Sequence, residues 1–203
     1  IAYLENDVSH IFSAMPATPQ DPREFYRGND LGWGCIQQNL DAKRKVADSV
    51  LVDAVLSSEE ATRPSELFML KGPAGNGKTV VLKRIAWEAA IMYNELVLFA
   101  NNAAALRIEP LEEIFALTGK RIVLCVDHVA LFRKELVQLI ESSRKRKVPI
   151  TIIGSERDNE WFTYCDQLEP YLKQEFAVRY LNEHEIDEMI ILLERHNALG
   201  LLK

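Results

Sequence analysis

The chain has 203 residues, of which 48% are apolar and 27% charged, the composition of an ordinary folded protein with room for one α/β domain and a smaller appendage. A net charge of −6 argues against coating by nucleic acid, and no apolar run approaches the roughly 20 residues of a membrane-spanning helix. Cys35, Cys125 and Cys165 are scattered without metal-binding spacing, which fits unpaired thiols in a reducing compartment. With no secretory leader apparent, the chain reads as a piece of a longer cytoplasmic protein.

Taken from the amino terminus, Asp7–Ser9 is expected to cap a short helix, and Pro16, Pro19 and Pro22 to break regular structure. An aromatic, turn-rich segment follows at Phe25-Tyr26-Arg27-Gly28-Asn29-Asp30, with Trp33 just beyond. Apolar residues at Val46, Val50, Val52 and Val55 among charges predict an amphipathic helix over Asp41–Leu56, and Ser57–Ser65 reads as a loop. Short apolar runs then alternate with helical patterns. Strands are predicted at Leu67–Leu70, Leu96–Phe99, Ile122–Val126 and Ile150–Ile153, and helices at Lys78–Met92, Glu109–Leu117 and Leu131–Lys145. Continuous β-branched runs between helices imply a mostly parallel sheet covered by helices on both faces, an α/β fold. Asn182, with Glu185 three positions later, predicts a capping box that opens a last helix carrying Ile186, Met189, Ile190 and Leu193 on one face.

The segment Gly72-Pro73-Ala74-Gly75-Asn76-Gly77-Lys78-Thr79 follows a strand and opens a helix, the context in which G-x-x-x-x-G-K-[ST] cradles phosphate. Its glycines let the backbone N–H groups converge on an anion, and the helix starting at Lys78 adds its positive end. In this reading Lys78 reaches the β- and γ-phosphates of ATP, the Thr79 hydroxyl ligates Mg²⁺, and the loop through Val80 surrounds the nucleotide. Asp127, at the end of an apolar strand, is the matching acid for Mg²⁺; its alternative is a strand-ending Asp that caps the next helix.

His128 stands where fast ATPases often place a second acid. It either polarises a water, contacts the γ-phosphate or faces solvent, and as a poor water activator it would make hydrolysis slow. The run Ile150-Thr151-Ile152-Ile153-Gly154-Ser155-Glu156-Arg157 delivers Ser155 and Arg157 to the carboxyl edge of the sheet. There Arg157 either reads the γ-phosphate or pairs with Asp158 or Glu160. The expected organisation is a P-loop NTPase core at 61–165, an amino-terminal lead-in at 1–60 and the start of a helical subdomain at 166–203. The basic run Arg144–Lys147 closes a helix, where cations suit the dipole, so nucleic-acid binding is not expected.

These motifs resemble the STAND family, signal-transducing P-loop ATPases with numerous domains that include bacterial antiviral sensors and plant and animal immune receptors. The resemblance rests on the P-loop, on Gly154-Ser155-Glu156-Arg157 as the strand that ends in a hydroxyl residue and an arginine, and on Phe25-Tyr26-Arg27-Gly28 as a variant of an adenine-seating segment. It is closest to bacterial antiphage members with a sirtuin-like, NAD⁺-cleaving effector, on Phe25–Asp30, Glu156–Trp161 and Tyr180–Leu202. The resemblance implies an ATP/ADP switch with Mg²⁺, a homo-oligomer in the active state, a phage-derived protein trigger, and Tyr26, Arg27 or Trp33 near the base. Two rivals are an AAA-type remodelling ATPase and a nucleotide-binding scaffold without significant hydrolysis.

Overall fold

The computed structural model describes residues 3, 7–15, 21–57, 64–102 and 106–202. Strands β1 (Val8–Ile11), β2 (Glu66–Gly72), β3 (Leu96–Ala100), β4 (Ile122–Val126), β5 (Ile150–Arg157) and β6 (Leu172–Ala177) make one sheet. Their order is β1-β3-β4-β5-β2-β6, with β1 antiparallel to β3 and every other pairing parallel. The central strands are apolar throughout because both of their faces are covered, and burying each large side chain contributes about 1.5–3 kcal/mol.

The pleat divides those side chains between two cores. Leu67 and Met69 of β2 enter one, closed by α5 (Ile108–Thr118), α6 (Val129–Arg146) and α7 (Asp158–Tyr164). Phe68 and Leu70 enter the other, closed by α3 (Lys45–Val50, continuing in wider turns to Leu56) and α4 (Lys78–Ile91). A smaller apolar cluster around Leu31, Cys35, Ile36 and Leu40 seats α1 (Pro22–Tyr26) and α2 (Gly34–Gln37) against α4. The last long helix, α8 (Glu183–Arg195), opens on the expected capping box: Glu185 N donates to Asn182 Oδ1, and Asn182 N to Glu185 Oε2, each at 3.0 Å.

The α/β fold with a mostly parallel, doubly covered sheet is as the patterning predicts, and five departures have physical reasons. Residues 8–11 form strand β1 instead of following a helix cap, because Val8 and Ile11 bury against the sheet while the backbone pairs with β3. Pro22 opens α1 at its first turn, where the missing N–H costs nothing, with Asp21 accepting from Arg23 N. The helix predicted from Asp41 begins at Lys45, and Val52 is exposed. Strand β5 runs four residues past Ile153, to Arg157, and α7 follows at once. Strand β6 lies beyond residue 165 and is an edge strand whose Lys173, Gln174 and Glu175 face solvent, so it lacks the apolar run that marks its neighbours. Pro16 and Pro19, and most of the Ser57–Ser65 loop, lie outside the described residues.

Candidate functional site

Gly72 ends β2, and Gly75 and Gly77 take φ of 81° and 77°, left-handed conformations that open the loop and start α4. At Gly72 a side chain is excluded by a neighbouring backbone, since a Cβ there would lie 2.3 Å from Val178 O. The tip of the loop is fastened on the same side. Asn76 is buried and its Nδ2 donates to Val178 O at 3.1 Å, while Val178 N donates to Lys71 O at 2.7 Å. The Lys78 ammonium donates to Gly72 O at 2.9 Å and Pro73 O at 2.7 Å. Burial lowers its pKa, and the positive charge of Arg157 adds to that effect.

Strand order then assembles the second half of the site. Because β5 is inserted between β2 and β4, the ends of all three strands meet. Thr79 Oγ1 donates to Asp127 Oδ2 at 2.6 Å, and Ser155 Oγ donates to Asp127 Oδ1. Two hydroxyls from different elements thus grip one carboxylate. Arg157 is the register partner of Gly72 on β2 and is half exposed, with Nη1 3.9 Å from Glu160 Oε1. His128 takes a left-handed φ of 52°; its ring is half exposed, with Nε2 3.8 Å from Asp127 Oδ2. The structure therefore brings together Lys78, Thr79, Asp127, Ser155, His128 and Arg157 at the carboxyl edge of the sheet.

Two cavities flank this cluster. One, of about 570 Å³, is bounded by the loop from Ala74 to Gly77 and is apolar, lined by Phe25, Val80, Leu181, Ile186 and Met189. The other, of about 620 Å³, carries the side chains of Thr79, Asp127, His128, Asp30 and Lys83 in its lining. Phe25 and Val80 border both. Sizes of this order, with few convergent polar groups, suit small-molecule ligands. Thr79 Oγ1 and the Asp127 carboxylate are hard oxygen donors side by side, which fits Mg²⁺ completed by phosphate oxygens.

Tyr26, Arg27 and Trp33, the residues expected near a base, do not line the apolar cavity. Tyr26 donates its hydroxyl to Leu40 O at 3.1 Å and packs beside Phe25 and His196. Arg27 pairs with Glu24 on the surface, and Trp33 packs edge-on against Phe99 with centroids 5.2 Å apart. Phe25 lines the apolar cavity instead. Arg44, which no motif marks, is the organising cation of that cavity. Its Nη2 donates to Arg179 O at 2.6 Å, its Nη1 reaches Asn76 O at 3.5 Å, and its Nε lies 3.2 Å from Glu185 Oε2. It joins the glycine loop, the chain after β6 and α8, and only tertiary structure reveals this. In the basic run at the end of α6, Arg144 donates to Ser65 O at 2.9 Å, and Arg146 pairs with Glu109 and Glu112.

Residues 23–169 match the family model described as Novel STAND NTPase 5. No curated protein matches the chain. Among solved structures, a chain of the S. cerevisiae Hsp104:casein complex in its extended conformation is 13% identical, with 98% of this chain and 34% of that one covered and a TM-score of 0.55. A chain of the E. coli MS115-1 HORMA:CdnC:Trip13 complex is 14% identical, covering 76% and 61%, with a TM-score of 0.50. C. elegans PCH-2 is 16% identical, covering 80% and 52%, with a TM-score of 0.48. At these identities the likeness to the first two is one of fold, and the chain spans 34% to 61% of the lengths of the three chains.

Proposed function

The chain belongs to the Novel STAND NTPase 5 family and is a nucleotide-binding NTPase module, and from that premise we propose that it is a slowly hydrolysing ATP switch. The carrying observation is the Asp127 carboxylate, gripped by Thr79 and Ser155 and followed by His128 rather than by a second acid. Phosphates lie in the nest of the glycine loop, with the base in the apolar cavity between Val80 and α8. Lys78 exchanges the Gly72 and Pro73 carbonyls for phosphate oxygens, and Arg157 turns from Glu160 toward the γ-phosphate. Mg²⁺ would be held by Thr79 and Asp127 and would supply charge neutralisation on the phosphates. His128 orients water weakly, because its ring is half exposed and the carboxylate nearest to it, Asp127 at 3.8 Å, is already gripped by Thr79 and Ser155. ATP and ADP then differ mainly at Arg157, which gives the differential binding that any nucleotide switch requires.

In the parent protein this switch sits in the cytoplasm and favours a homo-oligomer when ATP is bound, coupling a phage-derived trigger to an effector in antiviral defence. No helix among the described residues is long and apolar enough to cross a membrane. The test is phosphate release with Mg·ATP, measured beside nucleotide affinities. The reading expects turnover well below the roughly 10 s⁻¹ typical of enzymes, tighter binding of ATP than of ADP in this chain, and loss of that preference in Arg157→Ala. Fast hydrolysis stimulated by an added polypeptide would overturn it in favour of a remodelling ATPase.

A further inference from the structure

Glu156 is a buried carboxylate that the nucleotide chemistry above does not use. It is 3% exposed and lies in β5 between Ser155 and Arg157. Its Oε2 accepts from Ala130 N at 2.7 Å and its Oε1 from Arg157 N at 2.8 Å. Lys71, its register partner on β2, turns its ammonium to Glu175 and lies 4.5 Å over the Trp161 ring. Among the described residues Glu156 forms no ion pair, so its charge is held by the two N–H groups and the positive end of the 18-residue α6.

A helix start is ordinarily capped from its own N-cap side chain. Here the N-cap is His128, which makes no side-chain cap bond, and the acceptor comes from β5 instead. That choice joins two segments with different tasks. One is the first turn of α6, directly after Asp127 and His128; the other is Arg157. Ser155 joins the same two segments one residue earlier, through Asp127.

We propose that Glu156 is a positioning residue that couples Arg157 to the His128 turn, so that contact of Arg157 with a γ-phosphate resets the start of α6. This rests on the switch reading above. When Arg157 is drawn toward phosphate its backbone N–H moves with it, Glu156 follows, and the Ala130 N–H at the other end of the carboxylate is pulled or released. The turn most exposed to that movement is His128, which already holds a left-handed backbone without being glycine.

The test measures ATP and ADP affinities by calorimetry, with Mg²⁺, for the chain and for Glu156→Gln, Glu156→Asp, Arg157→Ala and the Glu156→Gln/Arg157→Ala double variant. Gln keeps the volume but sets an amide N–H against one of the two backbone N–H groups, and Asp keeps the charge but shortens the reach. The ATP-over-ADP preference should narrow about fivefold in both Glu156 variants, the lower end of typical site-to-site coupling, and Glu156→Gln should narrow it no further once Arg157 is Ala. A lower melting temperature with an unchanged preference overturns the proposal and leaves Glu156 a helix cap. Additive effects in the double variant also overturn it. An unchanged preference in Arg157→Ala sinks the switch reading itself, and a Glu156 effect beside it would show that no coupling runs through Arg157.

Discussion

Replacing Lys78 with Ala tests the phosphate assignment at its most charged contact. An ammonium about 4 Å from a unit of phosphate charge, at an effective dielectric constant near 20, is attracted by about 4 kcal/mol. To make that contact Lys78 gives up its bonds to Gly72 O and Pro73 O, each worth about 1.5 kcal/mol from a charged donor. The difference, ~1 kcal/mol, corresponds to a loss of roughly 5-fold in affinity for Mg·ATP. The loss for Mg·ADP should be smaller, because one contact the ammonium makes is to the γ-phosphate. Calorimetry on the variant gives both numbers, and circular dichroism establishes that α4 still forms around the shortened residue. Affinity for ATP within about threefold of the parent chain, with the fold intact, refutes the placement of phosphate in the Gly72–Thr79 loop.

His128→Glu places a second acid beside Asp127 at a position that is already half exposed. If slow turnover follows from weak water activation, phosphate release should rise, by up to the ~10²-fold that a positioned base contributes; no increase means that His128 does not face the attacking water. A separate expectation concerns stability and pH. Burial lowers the pKa of His10 in β1 below its ordinary 6.5. The unfolded chain then binds this proton more readily, so the contribution of His10 is complete above 6.5 and is lost as pH falls through the folded-state value. Melting temperatures between pH 7.5 and 5 should fall less steeply in His10→Gln, and parallel curves would show that other groups govern the decline.

How much of this was legible beforehand follows from what each feature demands of its residues. Strands β2 to β5 announce themselves because both faces are covered, so Ile122–Val126 must be apolar at every position. The glycine loop is legible because φ values near 80° at Gly75 and Gly77 exclude most side chains. Asp127 and Ser155 are found by the same logic, at the ends of buried runs that leave few polar residues to choose from. Strand β6 and Arg44 answer to no such demand. A one-sided edge strand accepts Lys173-Gln174-Glu175, and an arginine that bonds carbonyls at 76 and 179 carries no signature within reach of its own neighbours. The roles within the aromatic segment are hidden for a related reason. Its composition does not say that Phe25 lines the cavity while Tyr26 donates to Leu40 O.

The same strand order indicates which wall of the site can move. Asp127, Ser155 and Arg157 stand at the ends of β4 and β5, and Thr79 opens α4 after the loop from β2; these three adjacent parallel strands are buried on both faces and form one stiff unit. The opposite wall of the apolar cavity, with Leu181, Ile186 and Met189, hangs from the chain after the edge strand β6. It is fastened to the glycine loop by Asn76 and by the three contacts of Arg44. A base in that cavity is gripped by both walls, whereas the γ-phosphate meets only the stiff one. Arg44→Ala should therefore loosen the base contact common to ATP and ADP. Both affinities should fall by a similar factor, about tenfold for the charge-assisted bonds lost, with the ratio between them unchanged. A selective loss of ATP would mean that the α8 wall reads the γ-phosphate as well, and that the two halves of the site do not work independently.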